Sequence, residues 1–161
     1  MSNSTVGIVG SGIMGSGITE CAALNGLEVI LVSREQSTAD AAVAGIEKSL
    51  NRQVDKGKIG DTERNDALSR VKAESDIGSL AECDLVIEAV IENLADKKRI
   101  FHIVDRECKN HTIIATNTST FPVVELAMET GRPEKVCGVH FFNPVSAMPL
   151  VEIVRPITAS E

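Results

Sequence analysis

The chain has 161 residues, 43% of them hydrophobic and 24% charged, which is typical of one globular domain with a buried core. Its formal net charge of −7 and its lack of Trp and Tyr argue against nucleic-acid binding, which depends on basic patches and aromatic stacking. No apolar segment approaches the roughly 20 residues that cross a membrane, and no signal peptide is expected at the N-terminus. We therefore expect a cytoplasmic protein with a small-molecule ligand, and neither a nucleic acid nor a membrane as partner.

The four cysteines lie far apart in the sequence and form no CxxC pair. Scattered thiols of this kind indicate buried free cysteines rather than a disulfide framework or a metal site. No metal ligand is predicted.

The N-terminal part of the chain has the pattern of a strand, a turn, a helix and a second strand. Residues 5–10 are a short apolar run that ends in glycine, and residues 13–25 carry apolar side chains at helical spacing. Residues 28–32 are almost continuously apolar, as in a parallel strand that is covered on both faces. Two strands around one helix predict a βαβ unit.

The middle of the chain continues the alternation of helices and strands. Residues 37–56 predict a long amphipathic helix, and residues 57–70 predict a turn followed by a short polar helix. Residues 71–74 fit a short strand, and residues 84–90 a buried one. A helix is predicted from Asn93, with Asp96 in a partial capping box, to about residue 109.

The C-terminal part adds three strands and one helix. They are predicted at residues 112–116 (strand), 123–130 (helix), 135–142 (strand) and 150–154 (strand). The alternation predicts an α/β fold with a doubly wound, mostly parallel sheet of Rossmann type, forming one domain over residues 1–161.

A GxGxxG sequence lies between the first predicted strand and the first predicted helix. Its residues are Gly10, Ser11, Gly12, Ile13, Met14 and Gly15. In this context the first glycine makes the tight turn, the second lets the backbone approach a diphosphate, and the third lets the helix pack on the strand. The free N–H groups at the helix N-terminus then favour an anion. We predict that these six residues bind a dinucleotide, although the glycines alone would also suit a simple tight turn.

The end of the second predicted strand bears on the choice of cofactor. An acid at this position would bind the ribose 2′-hydroxyl of NAD, but the chain has Ser33 followed by Arg34. A hydroxyl and a guanidinium suit a 2′-phosphate better, so the cofactor is predicted to be NAD or NADP, with NADP slightly favoured. Glu35 could restore a preference for NAD, and Arg34 could be an ordinary surface charge.

Four further blocks in the sequence resemble a known family. They are residues 84–101, 115–119, 138–145 and 148–154. Together with the glycine turn, they are similar to the successive motifs of the 3-hydroxyacyl-CoA dehydrogenases, over residues 6–156. The resemblance implies an oxidoreductase of fatty acid metabolism that interconverts 3-hydroxyacyl-CoA and 3-oxoacyl-CoA by hydride transfer with NAD(P).

His140 and Glu152 are the predicted catalytic pair. Oxidation of a secondary alcohol needs a base for the hydroxyl proton, and His140 lies near the end of an apolar strand, where open α/β sheets bind their ligands. By resemblance, Glu152 is its partner. Glu152 lies within an apolar strand, where an unpaired acid is costly, and the loop of residues 143–149 can bring the two side chains together. The alternative for Glu152 is an acid on the solvent side of an edge strand.

The resemblance assigns roles to six other residues. They are Ser119 and Asn143 at the substrate and nicotinamide, Glu92 and Lys97 at the cofactor, and Ser49 and Lys56 at the CoA part of the substrate. Simpler explanations exist for most of them. The Ser and Thr side chains around Ser119 could cap the next helix, and the charged residues could lie on solvated helix faces.

Members of the family carry a C-terminal helical domain that closes over the acyl-CoA and forms much of a homodimer. The chain ends at Glu161, before such a domain, so we expect it to bind cofactor but to turn over weakly alone, in an open, wet cleft. Two alternative functions are a dehydrogenase of a hydroxyacyl group on an acyl carrier protein, and a dinucleotide-binding module without catalysis.

Overall fold

The computed structural model describes residues 4–160, so residues 1–3 and 161 of the predicted domain lie outside the described residues. The strands are β1 (Thr5–Val9), β2 (Glu28–Val32), β3 (Val71–Glu74), β4 (Leu85–Glu88), β5 (Ile113–Thr116), β6 (Val136–Phe141) and β7 (Val151–Val154). The helices are α1 (Ile13–Leu24), α2 (Gln36–Asp55), α3 (Asp61–Ser69), α4 (Leu94–Glu107) and α5 (Val123–Ala127).

The strands form one sheet in the order β3-β2-β1-β4-β5-β6-β7. Strands β1 to β6 are parallel, and β7 runs antiparallel to β6. The chain begins in the middle of the sheet, builds outward to β3, and returns to the other side of β1 with β4. Ligands of such sheets bind at the carboxyl ends of the strands where this reversal occurs, here between β1 and β4.

The predicted α/β fold with a doubly wound sheet is confirmed, and each predicted strand and helix is present. Two short 3₁₀ turns, Ile77–Leu80 and Pro133–Lys135, were not predicted. Helix α5 ends at Ala127 rather than at residue 130, because the Thr130 hydroxyl donates a hydrogen bond to the Ala127 carbonyl and closes the chain after the helix.

The core lies on both faces of the sheet. One face packs against α4 and α5, where Phe101, Val104 and Leu126 are fully buried. The other face packs against α1 and α2 through residues such as Ile18 and Ile46. Strands that are covered on both faces are apolar along their whole length, which is why β1, β2 and β4 could be predicted from the sequence.

Helix α3 is an addition to the basic βαβ unit. It packs against α1 and α2 through the buried side chain of Ala67. Its first turn carries Asp61 and Glu63, and the Glu63 carboxylate accepts a hydrogen bond from the Gly60 N–H at 2.8 Å. Acids at this end are favoured by the helix dipole, and the N-cap residue is Gly60, one residue before the polar side chains of Asp61 and Thr62.

Two of the cysteines are inert core residues. Burial raises the pKa of Cys83 to about 12 and that of Cys108 to about 11. Cys21 and Cys137 are half-buried, and all four thiols are free. This agrees with the prediction of scattered thiols without a disulfide.

Strand β7 forms one edge of the sheet and is exposed along its length. Val151, Ile153 and Val154 are 41%, 66% and 43% exposed, so the strand owes its place to pairing with β6 rather than to burial. Across the hairpin, a Cβ atom at Gly138 would lie 2.8 Å from Cβ of Val154, so the two strands approach closely there. Within residues 4–160, no helix combines the length and the apolarity needed to cross a bilayer.

Candidate functional site

The glycine turn joins β1 to α1 at the centre of the carboxyl edge. Gly10 has φ +117°, and a Cβ atom there would lie 2.6 Å from the carbonyl oxygen of Ala89, just after β4. A Cβ atom at Gly15 would lie 1.8 Å from the Gly10 carbonyl oxygen. The first and third glycines are therefore required by the fold, as predicted.

Gly12 is different, because nothing lies within 4 Å of the position that its Cβ would take. It is the N-cap residue of α1, and no side chain accepts a hydrogen bond from the first N–H groups of that helix. The first turn of α1 carries no acidic residue either. An open glycine before a helix whose first N–H groups have no side-chain acceptor fits the diphosphate of a dinucleotide, and residues 10–15 would hold it.

The end of β2 lies beside this turn. The hydroxyl groups of Ser11 and Ser33 are 2.8 Å apart, so one donates a hydrogen bond to the other. Arg34 and Glu35 are exposed, and within residues 4–160 Arg34 forms no ion pair. Among the three residues that could select the cofactor, Ser33 is thus hydrogen-bonded to the glycine turn, whereas the side chains of Arg34 and Glu35 extend into solvent.

His140 and Glu152 face each other directly across the β6–β7 hairpin. The Glu152 Oε2 atom lies 2.9 Å from His140 Nδ1, and the imidazole also packs on Phe142 with ring centroids 4.6 Å apart. The His140 side chain is 21% exposed and that of Glu152 is 54% exposed. Glu152 thus lies on an exposed edge strand, as its alternative interpretation expects, and its carboxylate is also paired with the histidine.

The other two histidines, His102 and His111, are exposed and lie in or just after α4, as predicted for surface residues. His111 lies 3.6 Å from a carboxylate oxygen of Asp84, at the opposite, amino-terminal end of β4. They are therefore separate from the carboxyl edge of the sheet.

Ser119 lies in the loop after β5, next to the strand that carries His140. It is exposed, and its hydroxyl forms no hydrogen bond within residues 4–160. The neighbouring Thr118 stabilises this loop, because its hydroxyl accepts hydrogen bonds from the N–H groups of Thr120 and Phe121 at 3.2 Å. Thr118 therefore fixes the turn before α5, whose N-cap residue Pro122 has no side-chain cap, and the Ser119 hydroxyl is available to a ligand.

Asn143 lies in the loop between β6 and β7, and its peptide bond with Pro144 is cis. This loop lies against α1, where a Cβ atom at Gly17 would be 3.0 Å from a methyl group of Val145. Asn143, Ile13 and Ser49 line one open cleft of about 210 Å³. The loop thus brings a predicted catalytic residue, the glycine turn and a predicted CoA contact to the same cleft.

Lys97 is 1% exposed, and its ammonium group donates a hydrogen bond to Glu88 Oε1 at 2.8 Å. The Glu88 carboxylate also accepts from the Val90 N–H and from the Thr116 hydroxyl, both at 2.7 Å. Glu92, which is 43% exposed, lies 3.8 Å from the same ammonium. Lys97 is therefore a buried residue that stabilises the loop after β4. Of Glu92 and Lys97, the two residues predicted to contact the cofactor, Glu92 is the exposed one.

Lys56 is the C-cap residue of α2 and is exposed. It follows Ser49 by two turns of the helix, so both side chains point along the same face. Ser49 lines the cleft beside Asn143, and Lys56 lies beyond it.

Comparison with known proteins decides the family. Residues 5–161 match the family described as 3-hydroxyacyl-CoA dehydrogenase, NAD binding domain. The chain belongs to this family. The resemblance found in the sequence is therefore confirmed, and so is the prediction of a nicotinamide dinucleotide, for which the family description supports NAD. The slight preference for NADP gains no support from it.

The chain is similar to several 3-hydroxybutyryl-CoA dehydrogenases. That of Clostridioides difficile is 44% identical over 147 residues, which are 91% of this chain and 52% of that protein. A probable one from Bacillus subtilis is 40% identical over 154 residues, which are 96% of this chain and 54% of that protein. The crystal structure of (S)-3-hydroxybutyryl-CoA dehydrogenase PaaH1 from Ralstonia eutropha gives a TM-score of 0.96 at 39% identity, covering 99% of this chain and 56% of that one. The chain thus spans about half the length of these relatives.

Sequence reasoning missed Glu88, Thr116 and Glu20 in this member of the 3-hydroxyacyl-CoA dehydrogenase family. Glu88 and Glu20 are 1% and 6% exposed acids, each within an apolar segment. An acid within an apolar segment is the same sequence signal that drew attention to Glu152. Glu88 and Glu20 are in fact buried and need partners, whereas Glu152 is 54% exposed.

The two glycines of the turn should respond differently to alanine. Gly12→Ala should change the free energy of unfolding by less than about 0.5 kcal/mol, since the backbone already suits alanine and the site is open. It should raise the Kd for NADH at least about tenfold, because the methyl group occupies space that the diphosphate needs. NADH fluorescence, undisturbed by Trp or Tyr, measures the affinity.

Gly15→Ala is the matched control. It should lower the free energy of unfolding in urea by about 2 kcal/mol or more, because its Cβ atom would overlap the Gly10 carbonyl oxygen. Unchanged NADH affinity in Gly12→Ala would show that the dinucleotide does not bind at this turn.

The buried Lys97–Glu88 pair gives a second prediction. Glu88→Gln should lower the free energy of unfolding by about 3–5 kcal/mol, since it removes the buried counter-charge of Lys97 and leaves only the partly exposed Glu92 at 3.8 Å. The double variant Glu88→Gln/Lys97→Met should recover most of that loss. Urea unfolding measures both. An equally large loss in the double variant would mean that hydrogen bonding, and not charge pairing, gives Glu88 its role.

Proposed function

We propose that the chain is the cofactor-binding and proton-transferring part of an NAD(P)-dependent 3-hydroxyacyl-CoA dehydrogenase. The observation that carries this proposal is the 2.9 Å contact between His140 and Glu152 on the β6–β7 hairpin, whose loop packs on the helix that follows the dinucleotide turn. A protein that only binds a dinucleotide has no use for a proton acceptor held by a carboxylate at this edge. The contact therefore favours an enzyme over a binding module.

Glu152 orients the imidazole. Since its carboxylate lies at Nδ1, the neutral ring carries its proton there and donates it to Glu152. Nε2 is then the free base, which takes the proton of the substrate hydroxyl during oxidation and returns it to the carbonyl oxygen during reduction. Bound NAD(P) supplies the acceptor or donor of the hydride.

Two neutral side chains would position the substrate oxygen. The Ser119 hydroxyl is exposed at the end of β5 and has no partner within residues 4–160, so it can donate a hydrogen bond to that oxygen. Asn143 lies in the cleft beside the first turn of α1, where it can hold the thioester or the nicotinamide. Their catalytic roles form part of the proposal.

The substrate class follows from the relatives, which are named 3-hydroxybutyryl-CoA dehydrogenases. We infer a short 3-hydroxyacyl thioester, with Ser49 and Lys56 contacting its CoA part and the Lys56 ammonium near the phosphates. An acyl-carrier-protein thioester is the alternative, and turnover of the two thioesters compared side by side distinguishes them. The homodimer that the resemblance implies belongs to the same proposal, as does weak turnover by this chain alone, whose catalytic pair lies open to water.

Replacement of His140 tests the proposed function. His140→Ala should lower the rate of acetoacetyl-CoA-dependent NADH oxidation by roughly 10² to 10⁴, because the proton then has no side chain to move to. The Kd for NADH should stay within about twofold, since His140 lies outside the glycine turn. Glu152→Gln should give a smaller loss of rate.

The matched control is His102→Ala, which removes an exposed histidine on α4 and should leave both quantities unchanged. If His140→Ala turned over as fast as the unmodified chain, another group would be the base and the proposal would fail.

The cofactor choice is tested at Arg34. Its exposed guanidinium is available to a 2′-phosphate, so Arg34→Ala should weaken NADPH binding about tenfold and leave NADH binding unchanged. Arg106→Ala, an exposed arginine near the end of α4, is the control. An unchanged Kd for both cofactors would assign Arg34 to solvent, and equal weakening of both would assign it to a group that they share; either result would remove the preference for NADP.

A further inference from the structure

Glu20 is a buried acid for which the proposed mechanism has no use. It lies on α1, is 6% exposed, and forms no ion pair within residues 4–160. Its Oε1 atom accepts a hydrogen bond from Gln53 Nε2 at 2.7 Å. Burial raises the pKa of Glu20, whereas hydrogen bonds from Ser49 and Gln53 and the charge of Arg52 lower it. Such a group is costly to the fold, so its position calls for an explanation.

Glu20 lies where two open clefts meet. The first is the cleft of about 210 Å³ that contains Asn143 and Ser49, and the second has about 330 Å³ and extends past Leu24 and Asn25 at the end of α1. Both clefts are lined by Glu20, between α1 and the loop that follows β6. A ligand that entered at Lys56 and reached Asn143 would have to pass this carboxylate.

The facing side of α2 has polar side chains in a fixed order. Ser49, Gln53 and Lys56 follow one another along the helix, and the rise from the first to the last is about 10 Å. Starting from Asn143, a ligand thus meets the Glu20 carboxylate together with Ser49 and Gln53, which both hydrogen-bond to it, and only then the ammonium group of Lys56. This order determines which chemical groups of a ligand can lie near Asn143, near Glu20 and near Lys56.

We propose that Glu20 is a specificity-determining residue for the thioester substrate, and that its carboxylate accepts a hydrogen bond from an amide N–H of the pantetheine arm. The inference rests on the proposed function, because it takes the ligand to be an acyl thioester of CoA. Gln53 holds the carboxylate in place from the α2 side.

The chemistry of the ligand fits the order of side chains in the clefts. A carboxylate is only an acceptor, and the pantetheine arm offers two amide N–H donors, whereas the acyl chain offers none. The phosphates of CoA are anionic and would be repelled by Glu20, so they lie toward Lys56. The thioester end then reaches Asn143. A hydrogen bond to an ionised acceptor is among the stronger ones, which makes this contact able to discriminate between ligands.

The test compares three thioesters that share the acetoacetyl group. They are acetoacetyl-CoA, acetoacetyl-pantetheine and the simple S-ethyl thioester, which has no amide. Calorimetry in the presence of NAD⁺ gives the Kd of each without turnover. Glu20→Gln should raise the Kd about tenfold for the first two and leave the third unchanged. Lys56→Met should raise the Kd for acetoacetyl-CoA alone.

Glu47→Gln, which neutralises an exposed acid on α2, is the matched control and should change none of the three. Glu20→Gln should fold, because burial disfavours the charged carboxylate, as its raised pKa shows, and a neutral amide of the same size avoids that cost. Urea unfolding checks this. Glu20→Asp, which withdraws the carboxylate by one methylene, should weaken both amide thioesters as well.

The outcomes separate this inference from the proposed function. Equal changes for all three thioesters, or none for any, would overturn the role of Glu20. Binding of acetoacetyl-CoA by the unmodified chain in the NAD⁺ titration, with no NADH oxidation when NADH replaces NAD⁺, would count against the proposed chemistry and leave the contact standing. No binding of any thioester, with NADH still bound, would overturn both.

Discussion

The close approach of α1 to the turn before it is the constraint on which the site depends. A side chain at Gly15 would overlap the backbone of Gly10, and a side chain at Gly10 would meet the carbonyl of Ala89 after β4. The first turn of α1 is therefore fixed over the gap between β1 and β4. Its N–H groups point to the carboxyl edge of the sheet. Glu92 and His140 lie at the same edge, because Glu92 follows β4, His140 is near the end of β6, and both strands are parallel to β1.

The strands and helices could be predicted because their signals are local. A strand covered on both faces is apolar along its length, and a helix that follows a glycine turn shows its own period. Strand β7 was found in the same way although it is exposed, since its β-branched residues indicate a strand irrespective of burial. The two 3₁₀ turns, Ile77–Leu80 and Pro133–Lys135, are too short to have such a period.

The partners of the buried acids could not be predicted, because they are distant in sequence. Glu88 bonds Thr116, 28 residues away, and Glu20 bonds Gln53, 33 residues away. An acid inside an apolar segment shows that a partner is needed, but not which residue provides it. For Glu152, the family resemblance identified the partner as His140. The same resemblance gave Lys97 and Glu92 together, and only the structure distinguishes the buried one from the exposed one.

The direct pairing of His140 with Glu152 couples their contact to the alignment of two strands. Side chains alternate between the faces of a strand, so sliding β7 by one residue would place Val151 or Ile153 opposite His140 and turn the acid to the other face. The loop between the strands is also constrained, because Asn143 lines the cleft and Val145 lies against α1. An insertion or deletion within β7 would therefore separate the acid from the histidine even if the loop kept its position.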